Sequence, residues 1–131
     1  MRARSMSGRR ATLSLVLVLA IAGSTAFASS AVADRSECPS QELCLWDGPT
    51  YGGGRADFHD NNWTNLSGFD DITSSVYNNT NRWAIVASDP NGGGSWIACL
   101  APGGFTSFNT GGFPSFDNTA SSVWLGTSQP C

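Results

Sequence analysis

Hydrophobic and polar residues alternate along short stretches of this chain, and glycine-rich turns separate the stretches. The runs that alternate or are continuously apolar lie at residues 43–46, 55–58, 83–87 and 95–100, with turns at 47–54 and 88–94. Alternation with a period of two, bounded by Gly, Pro, Asn and Asp, is typical of β-hairpins. No stretch after residue 33 sustains a helical period, so the pattern predicts an all-β domain.

One seven-residue stretch occurs twice, which indicates an internal duplication. The copies are Asp70-Asp71-Ile72-Thr73-Ser74-Ser75-Val76 and Asp117-Asn118-Thr119-Ala120-Ser121-Ser122-Val123, and a phenylalanine precedes each. Acidic or amide side chains, a backbone carbonyl and a serine hydroxyl are oxygen ligands that Ca²⁺ accepts. A single copy would favour ordinary turns, in which Asp and Ser bond the neighbouring backbone. Two copies favour calcium loops.

The repeat resembles the calcium motif of microbial βγ-crystallin domains. Residues 46–53, Trp-Asp-Gly-Pro-Thr-Tyr-Gly-Gly, resemble the first hairpin of that family, whereas residues 86–93 keep the proline and glycines but lack the aromatic residue. The resemblance implies a small β-sandwich of two Greek-key motifs, at about residues 38–80 and 81–131.

The same resemblance implies two Ca²⁺ sites. The first would use Asp71, the Ile72 carbonyl, the Ser74 hydroxyl and a backbone oxygen near Ser88, and the second Asn118, the Thr119 carbonyl, Ser121 and Asp47. Asp70 and Asp117 would orient the loops. Ser75 and Ser122 are expected to brace the hairpins.

Residues 1–33 have the pattern of a secretory signal peptide, which leaves residues 34–131 as the mature domain. Four arginines precede an apolar run at residues 11–22, and small-residue cleavage patterns end at Ala28 and at Ala33. The apolar run is short for a membrane span. We therefore expect a secreted protein.

The mature domain is acidic. It has three arginines, no lysine and ten Asp and Glu residues, which gives a net charge of −7. Such a surface disfavours nucleic acid and anionic membranes, because phosphate binding depends on clusters of Lys and Arg. It suits a cation or a partner with a positive or metal-containing cleft. The length predicts one domain, which we expect to be a monomer.

Four cysteines in a small exported domain predict two disulfides. Of the three possible connectivities we favour Cys38–Cys44, a local clip, and Cys99–Cys131, which ties down the C-terminus. The spacing does not resemble a zinc ribbon.

Catalysis finds little support in the sequence. The only histidine, His59, has no nucleophile motif beside it. The Asp70-Asp71 pair suits a calcium loop better than a glycosidase dyad, and phosphate and dinucleotide loops are absent from the sequence. We predict that the protein is not an enzyme.

The cysteine clip at residues 38–44 also resembles that of the microbial metalloproteinase inhibitors, which share the crystallin-like fold. This resemblance implies an inhibitor of extracellular, thermolysin-like proteases. We predict that the inhibitory loop contains Cys99, Leu100 and Ala101, with Leu100 as the apolar anchor; alternatively, Leu100 is the last buried residue of a strand. Residues 101–113 form either a plain surface loop or a recognition loop. A calcium-binding module without inhibitory activity and a killer-toxin-like protein are the alternative functions.

Overall fold

The computed structural model describes residues 34–108 and 116–131, which form two four-stranded antiparallel sheets. The strands are β1 Leu43–Trp46, β2 Arg55–Phe58, β3 Trp63–Asn65, β4 Ser75–Asn78, β5 Trp83–Ala87, β6 Trp96–Leu100, β7 Phe105–Ser107 and β8 Ser122–Gly126. The helical elements of these residues are three single 3-10 turns, Arg35–Glu37, Pro49–Tyr51 and Pro90–Gly92, and none is long or apolar enough to cross a membrane. The predicted signal segment, residues 1–33, and residues 109–115 of the glycine-rich segment lie outside the described residues.

The two motifs exchange one strand each. The first sheet has the order β2-β1-β4-β7 and the second the order β3-β8-β5-β6. Strand β3 of the first motif pairs with β8, placing Trp63 opposite Trp124, and β7 of the second motif pairs with β4, placing Phe105 opposite Tyr77. The predicted all-β sandwich of two Greek keys is confirmed.

The two exchanged strands were not expected from the sequence. The sequence placed Phe105 in the loop of residues 101–113 and assigned no strand at Trp63, and the structure has three-residue strands at both places. Each strand has only three residues, two of which are polar. Its ladder hydrogen bonds come only from a strand of the other motif. Local pattern carries no information on such pairing.

The core lies between the sheets and takes alternate residues from the strands. Leu43 and Leu45 of β1 face inward, whereas Cys44 and Trp46 belong to a separate cluster on the outer face. The inner cluster is aliphatic apart from Phe108 and consists of Leu43, Leu45, Leu66, Val76, Ala84, Val86, Ile97, Leu100, Phe108, Ala120, Val123 and Leu125. Each fully buried leucine contributes about 1.5–3 kcal/mol to folding.

Both predicted disulfides are present. Cys38 pairs with Cys44 at a Cα–Cα distance of 5.9 Å, and Cys99 pairs with Cys131 at 6.6 Å. Cys44 and Cys99 each lie between two core-facing neighbours, so they project from the outer faces of the two sheets. One disulfide therefore holds the N-terminal segment against the first sheet, and the other holds the C-terminus against the second.

A buried asparagine fixes the corner that leads from β6 to β7. The side-chain nitrogen of Asn78 donates to the carbonyls of Arg82 (2.7 Å), Leu100 (3.2 Å) and Ala101 (3.1 Å). Its side-chain oxygen accepts from the Thr80 hydroxyl at 2.7 Å. The side chain has no exposed surface, so its hydrogen bonds replace the solvation that burial removes.

We predict that Asn78→Ala lowers the free energy of unfolding by about 3 kcal/mol, because it leaves several buried carbonyls without a donor. Urea unfolding measures this change. The exposed neighbour Asn81 is the control, and Asn81→Ala should change stability by less than about 0.5 kcal/mol. Equal effects of the two substitutions would contradict the structural role of Asn78.

Candidate functional site

The two repeated loops lie side by side and bond each other reciprocally. The backbone N–H of Asp71 donates to the Ala120 carbonyl at 2.9 Å, and that of Asn118 donates to the Thr73 carbonyl at 3.0 Å. Asp71 and Asn118 occupy the same position of the repeat and both have a positive φ, 55° and 56°. Asp and Asn tolerate this left-handed backbone better than most residues. The duplication in the sequence is therefore a pseudo-two-fold in the structure, and we call this region the loop junction (residues 70–75 and 117–122).

The serine pairs connect each loop to the hairpin of its own motif. The N–H groups of Ser74 and Ser121 donate to the carbonyls of Trp46 (2.8 Å) and Ala87 (2.9 Å). The next serine of each pair, Ser75 or Ser122, hydrogen-bonds the hairpin turn. The Ser75 hydroxyl donates to the Gly48 carbonyl at 2.8 Å and accepts from the Tyr51 N–H at 2.9 Å.

Ser122 repeats this arrangement, donating to the Asp89 carbonyl at 2.6 Å and accepting from the Gly92 N–H at 2.9 Å. The prediction that Ser75 and Ser122 brace the hairpins is confirmed by these bonds.

The second hairpin has the same backbone as the first, although its sequence lacks the aromatic residue. Thr50 and Asn91 both have a positive φ, 52° and 55°. The position of Tyr51 is taken by Gly92, and a Cβ on Gly92 would lie 2.3 Å from the Trp63 ring. Trp63, from the exchanged strand β3, therefore lies where a side chain at position 92 would project. The missing aromatic residue has a replacement that comes from elsewhere in the chain.

The structure brings together ligands that the sequence analysis assigned to different calcium sites. The Ser74 hydroxyl, of the first predicted site, lies 3.4 Å from the side-chain oxygen of Asn118, of the second. Within the hairpins, the Asp47 carboxylate accepts from the Gly54 N–H at 2.7 Å and the Ser88 hydroxyl accepts from the Ser95 N–H at 2.9 Å. The ligand predicted near Ser88 is a backbone oxygen, which these bonds do not involve. The remaining predicted ligands, Asp70, Asp71, Ile72, Asp117, Thr119 and Ser121, all lie in the loop junction.

Two buried oxygens of the loop junction have no hydrogen-bond partner among the described residues. They are the Thr73 hydroxyl and one carboxylate oxygen of Asp117. Both residues adjoin the hydrogen bond from the Asn118 N–H to the Thr73 carbonyl. Buried oxygens of this kind require compensation, and a hard cation supplies it, so the donor set fits Ca²⁺. Within residues 34–108 and 116–131 three His, Cys, Asp or Glu side chains nowhere cluster to hold a metal ion, so a cation here would need carbonyl, amide and hydroxyl oxygens besides a carboxylate. The sequence analysis missed Thr73, whose repeat partner is the apolar Ala120.

The predicted inhibitory loop is not a loop in the structure. Cys99 and Leu100 belong to strand β6, where they pair with Ile85 and Ala84. The Leu100 side chain is only 8% exposed and lies in the core. The expectation of an exposed apolar anchor at Leu100 was therefore wrong, and the alternative of a last buried strand residue is correct. Ala101 begins a tight turn in which the Gly104 N–H donates to its carbonyl at 2.8 Å.

An arginine covers the aromatic surface of the first sheet. The Arg35 guanidinium carbon lies 3.6 Å from the centroid of the Phe105 ring and 5.4 Å from that of Tyr51, a cation–π arrangement. Burial raises the pKa of the Tyr51 hydroxyl, an effect that the nearby Arg35 charge partly opposes. Hydrogen bonds from Ser36 lower the pKa of the Asp34 carboxyl. The sequence analysis gave Arg35 no role, because the partner rings are distant in sequence.

The chain is similar to one protein family and to several solved structures. The model of peptidase inhibitor family I36 matches residues 31–99, more than half of the chain. A βγ-crystallin from Ciona intestinalis is 25% identical with a TM-score of 0.53, and the match covers 65% of this chain and 99% of that one. A βγ-crystallin from an archaeon is 24% identical with a TM-score of 0.53, covering 67% and 100%. A βγ-crystallin domain from Clostridium beijerinckii is 16% identical with a TM-score of 0.53, covering 68% and 100%. These structures show the fold of the chain. The comparison with curated proteins found no match.

We predict that Leu100→Ala lowers the free energy of unfolding by about 2–5 kcal/mol, because it opens a cavity in the core. Thermal or urea unfolding measures the loss. The matched control is Ala substitution of the exposed Pro102, two residues further along the same corner, which should change stability by less than about 0.5 kcal/mol. A Leu100→Ala variant as stable as the wild-type protein would contradict the burial of Leu100 in the core.

Proposed function

The chain belongs to peptidase inhibitor family I36, and we propose that it is a secreted inhibitor of an extracellular, thermolysin-like metalloprotease. The observation that carries the proposal is the family match over residues 31–99. Membership makes the chain a peptidase inhibitor on a βγ-crystallin fold rather than an enzyme. Secretion, the class of protease and the inhibitory surface are our proposal.

Secretion is supported by two features of the chain. The first 33 residues combine a basic start with an apolar run and small-residue cleavage patterns. The folded domain has two disulfides and, within its described residues, no free cysteine. Disulfides persist in oxidising compartments outside the cytosol, where an inhibitor meets secreted proteases.

A metalloprotease is favoured by the clip at the N-terminus and by charge. The Cys38–Cys44 clip before β1 resembles that of microbial metalloproteinase inhibitors. The acidic domain also suits a cleft with a bound cation, since complementary charge speeds the association of partners. The family match itself leaves the class of protease open.

We propose that strand β6 and the corner that follows it, residues 96–104, form the protease-binding surface. Strand β6 is the last strand of its sheet and pairs on one side only, with β5, among the described residues. An extended segment with a free edge can add to the strand-like substrate site of a protease through backbone hydrogen bonds.

The same segment is rigid, which favours binding. The disulfide to Cys131 holds Cys99, the core holds Leu100, and Asn78 fixes the corner. Little conformational entropy is then lost on association. A substrate-like entry of Leu100 into the protease would instead require its extraction from the core, at a cost of about 1.5–3 kcal/mol. We therefore propose binding through the strand edge and the exposed corner.

The proposal is tested by measuring inhibition constants of residues 34–131 against a thermolysin-like enzyme and a serine protease. We expect inhibition of the metalloprotease, and we expect Pro102→Arg, at the exposed corner, to weaken it at least tenfold without a change in melting temperature. The matched control is Pro49→Arg, at the exposed turn of the first hairpin. Inhibition of the serine protease alone would refute the metalloprotease assignment, and equal inhibition by both variants would refute the corner as the binding surface.

We propose binding of Ca²⁺ at the loop junction as a second function, supported by the two buried oxygens of Thr73 and Asp117 that lack partners. The Ser74 hydroxyl and the Asn118 amide oxygen, 3.4 Å apart, complete the set of oxygen donors. Bound Ca²⁺ would supply positive charge where two motifs meet. It would thereby stabilise the folded state without entering the protease contact.

We predict that millimolar Ca²⁺ raises the melting temperature relative to chelator, because a ligand that binds only the native state adds stability with its concentration, about 2.7 kcal/mol at a hundredfold excess over Kd. Asn118→Gly keeps the left-handed backbone and removes the amide, so it should reduce the calcium-dependent increase. Asn91→Gly makes the same change at the equivalent backbone geometry in the second hairpin and should leave the increase intact. If the melting temperature of the wild-type protein is the same in Ca²⁺ and in chelator, these loops are ordinary turns.

A further inference from the structure

Two tryptophan rings lie together on the outer face of the second sheet. The ring centroids of Trp63 and Trp96 are 6.5 Å apart, with an angle of 45° between the planes. The Trp96 side chain is 50% exposed. Strands β3 and β6 are at opposite edges of this sheet, so the rings meet above the two central strands. Ser122 and Ala87 occupy the row between Asn65 and Trp96, and the Ser122 hydroxyl bonds the turn that carries Gly92.

The position of Trp63 is fixed by the hairpin beneath it. Gly92 has a φ of 77°, and a Cβ there would lie 2.3 Å from the Trp63 ring. Only glycine therefore allows this close approach. A ring held against backbone loses little freedom when it binds a ligand, so the pair is preorganised for contact.

The strand and the hairpin that carry this tryptophan pair also carry exposed hydrogen-bonding groups. Asn65 and Asn91 are exposed and bond each other: the Asn91 N–H donates to the Asn65 side-chain oxygen at 2.7 Å, and the Asn65 amide nitrogen lies 3.4 Å from the Asn91 side-chain oxygen. Each amide can make up to four hydrogen bonds, so capacity remains on both. The exposed Asp89 carboxylate makes no capping hydrogen bond to its own turn.

The aromatic surface of the first sheet gives a comparison within the molecule. There the N-terminal segment places Arg35 over Phe105, 3.6 Å from the ring centroid. Within the described residues no cation lies over Trp63 or Trp96. The first surface therefore carries a cation of the chain itself, whereas the described residues place none on the second.

Charge and chemistry decide which ligand fits. The exposed polar groups on the strand and hairpin of the tryptophan pair are neutral amides and one carboxylate, and the domain has a net charge of −7, which opposes nucleic acids and anionic polymers. Aromatic faces accept the C–H faces of sugar rings, and amides and carboxylates bond hydroxyl groups. We propose that Trp63, Trp96, Asn65, Asn91 and Asp89 form a binding site for a neutral polysaccharide, which would place the inhibitor on a cell wall or on insoluble polymer. Trp96 also begins the segment proposed above as the protease-binding surface, so sugar binding and protease inhibition are measured separately.

The test uses residues 34–131 with intact disulfides. Depletion from solution by suspended cellulose and chitin measures binding to insoluble polymer, and titration of tryptophan fluorescence with cellohexaose and with N-acetylchitohexaose measures affinity. We expect binding to at least one of these neutral sugars that persists in 0.5 M NaCl, because salt screens only charged contacts. Trp96→Ala should weaken it about tenfold or more, as loss of one stacking ring does in other aromatic binding sites.

One control variant and one further variant of the site make the result specific. Phe105→Ala removes an aromatic side chain of comparable exposure from the other sheet and should bind sugar normally. Asn91→Gly preserves the backbone and should weaken binding by removing the amide, while melting temperatures show that all variants are folded. Three results would each overturn the proposal: no binding of the neutral sugars by the wild-type protein, normal binding by Trp96→Ala, or loss of protease inhibition in Trp96→Ala without any sugar binding. The last result would assign the rings to the protease interface.

Discussion

The two reciprocal hydrogen bonds between the repeated loops are the constraint on which the rest of this fold depends. Each bond requires a residue with a positive φ, Asp71 or Asn118, to turn its N–H toward the other motif. Once the loops are joined, the serine that follows in each copy reaches the hairpin turn of its own motif. A small domain buries a limited core, so polar contacts that fix four turns at once matter to its unique structure. The sequence duplication follows from this geometry, because both loops must satisfy the same condition.

A disulfide attaches each terminal segment to the outer face of one sheet, but the two outer faces differ. One disulfide ties each terminal segment to the outer face of one sheet, through Cys44 on β1 and Cys99 on β6. The N-terminal segment also supplies Arg35, which covers the rings of the first sheet. The second sheet receives no such cation from the described residues, and Trp96 on its outer face is half exposed. A pseudo-symmetric scaffold thus presents one aromatic surface that carries a cation of the chain itself and, within the described residues, one that carries none.

Those features that depend on neighbouring residues were predictable from the sequence. The hairpins and the cysteine clip follow from local spacing, whereas the two-motif organisation and the bracing role of Ser75 and Ser122 were implied by the resemblance to βγ-crystallin domains. Strands β3 and β7 were missed because their hydrogen bonds come from the other motif. The burial of Leu100 was assigned incorrectly because a strand end and a loop start have the same local pattern, and the difference depends on which sheet edge receives the residue. The pairing of Ser74 with Asn118 likewise requires knowledge of how the two loops cross.

Strand β6 connects the two proposed surfaces, and its length decides how they interact. Trp96 begins the strand and Leu100 ends it, so the tryptophan pair and the corner are separated by about 13 Å at the usual rise per residue. A stable protein interface covers about 800 Å² on each partner. A patch of that area is wider than the separation between the tryptophan pair and the corner. A protease seated on the corner would therefore reach toward the rings, and polysaccharide on the rings would hinder its approach. The loop junction lies where β4 and β8 begin and where the loops of the two motifs cross. A cation there would act on the stability of the whole sandwich rather than on either surface.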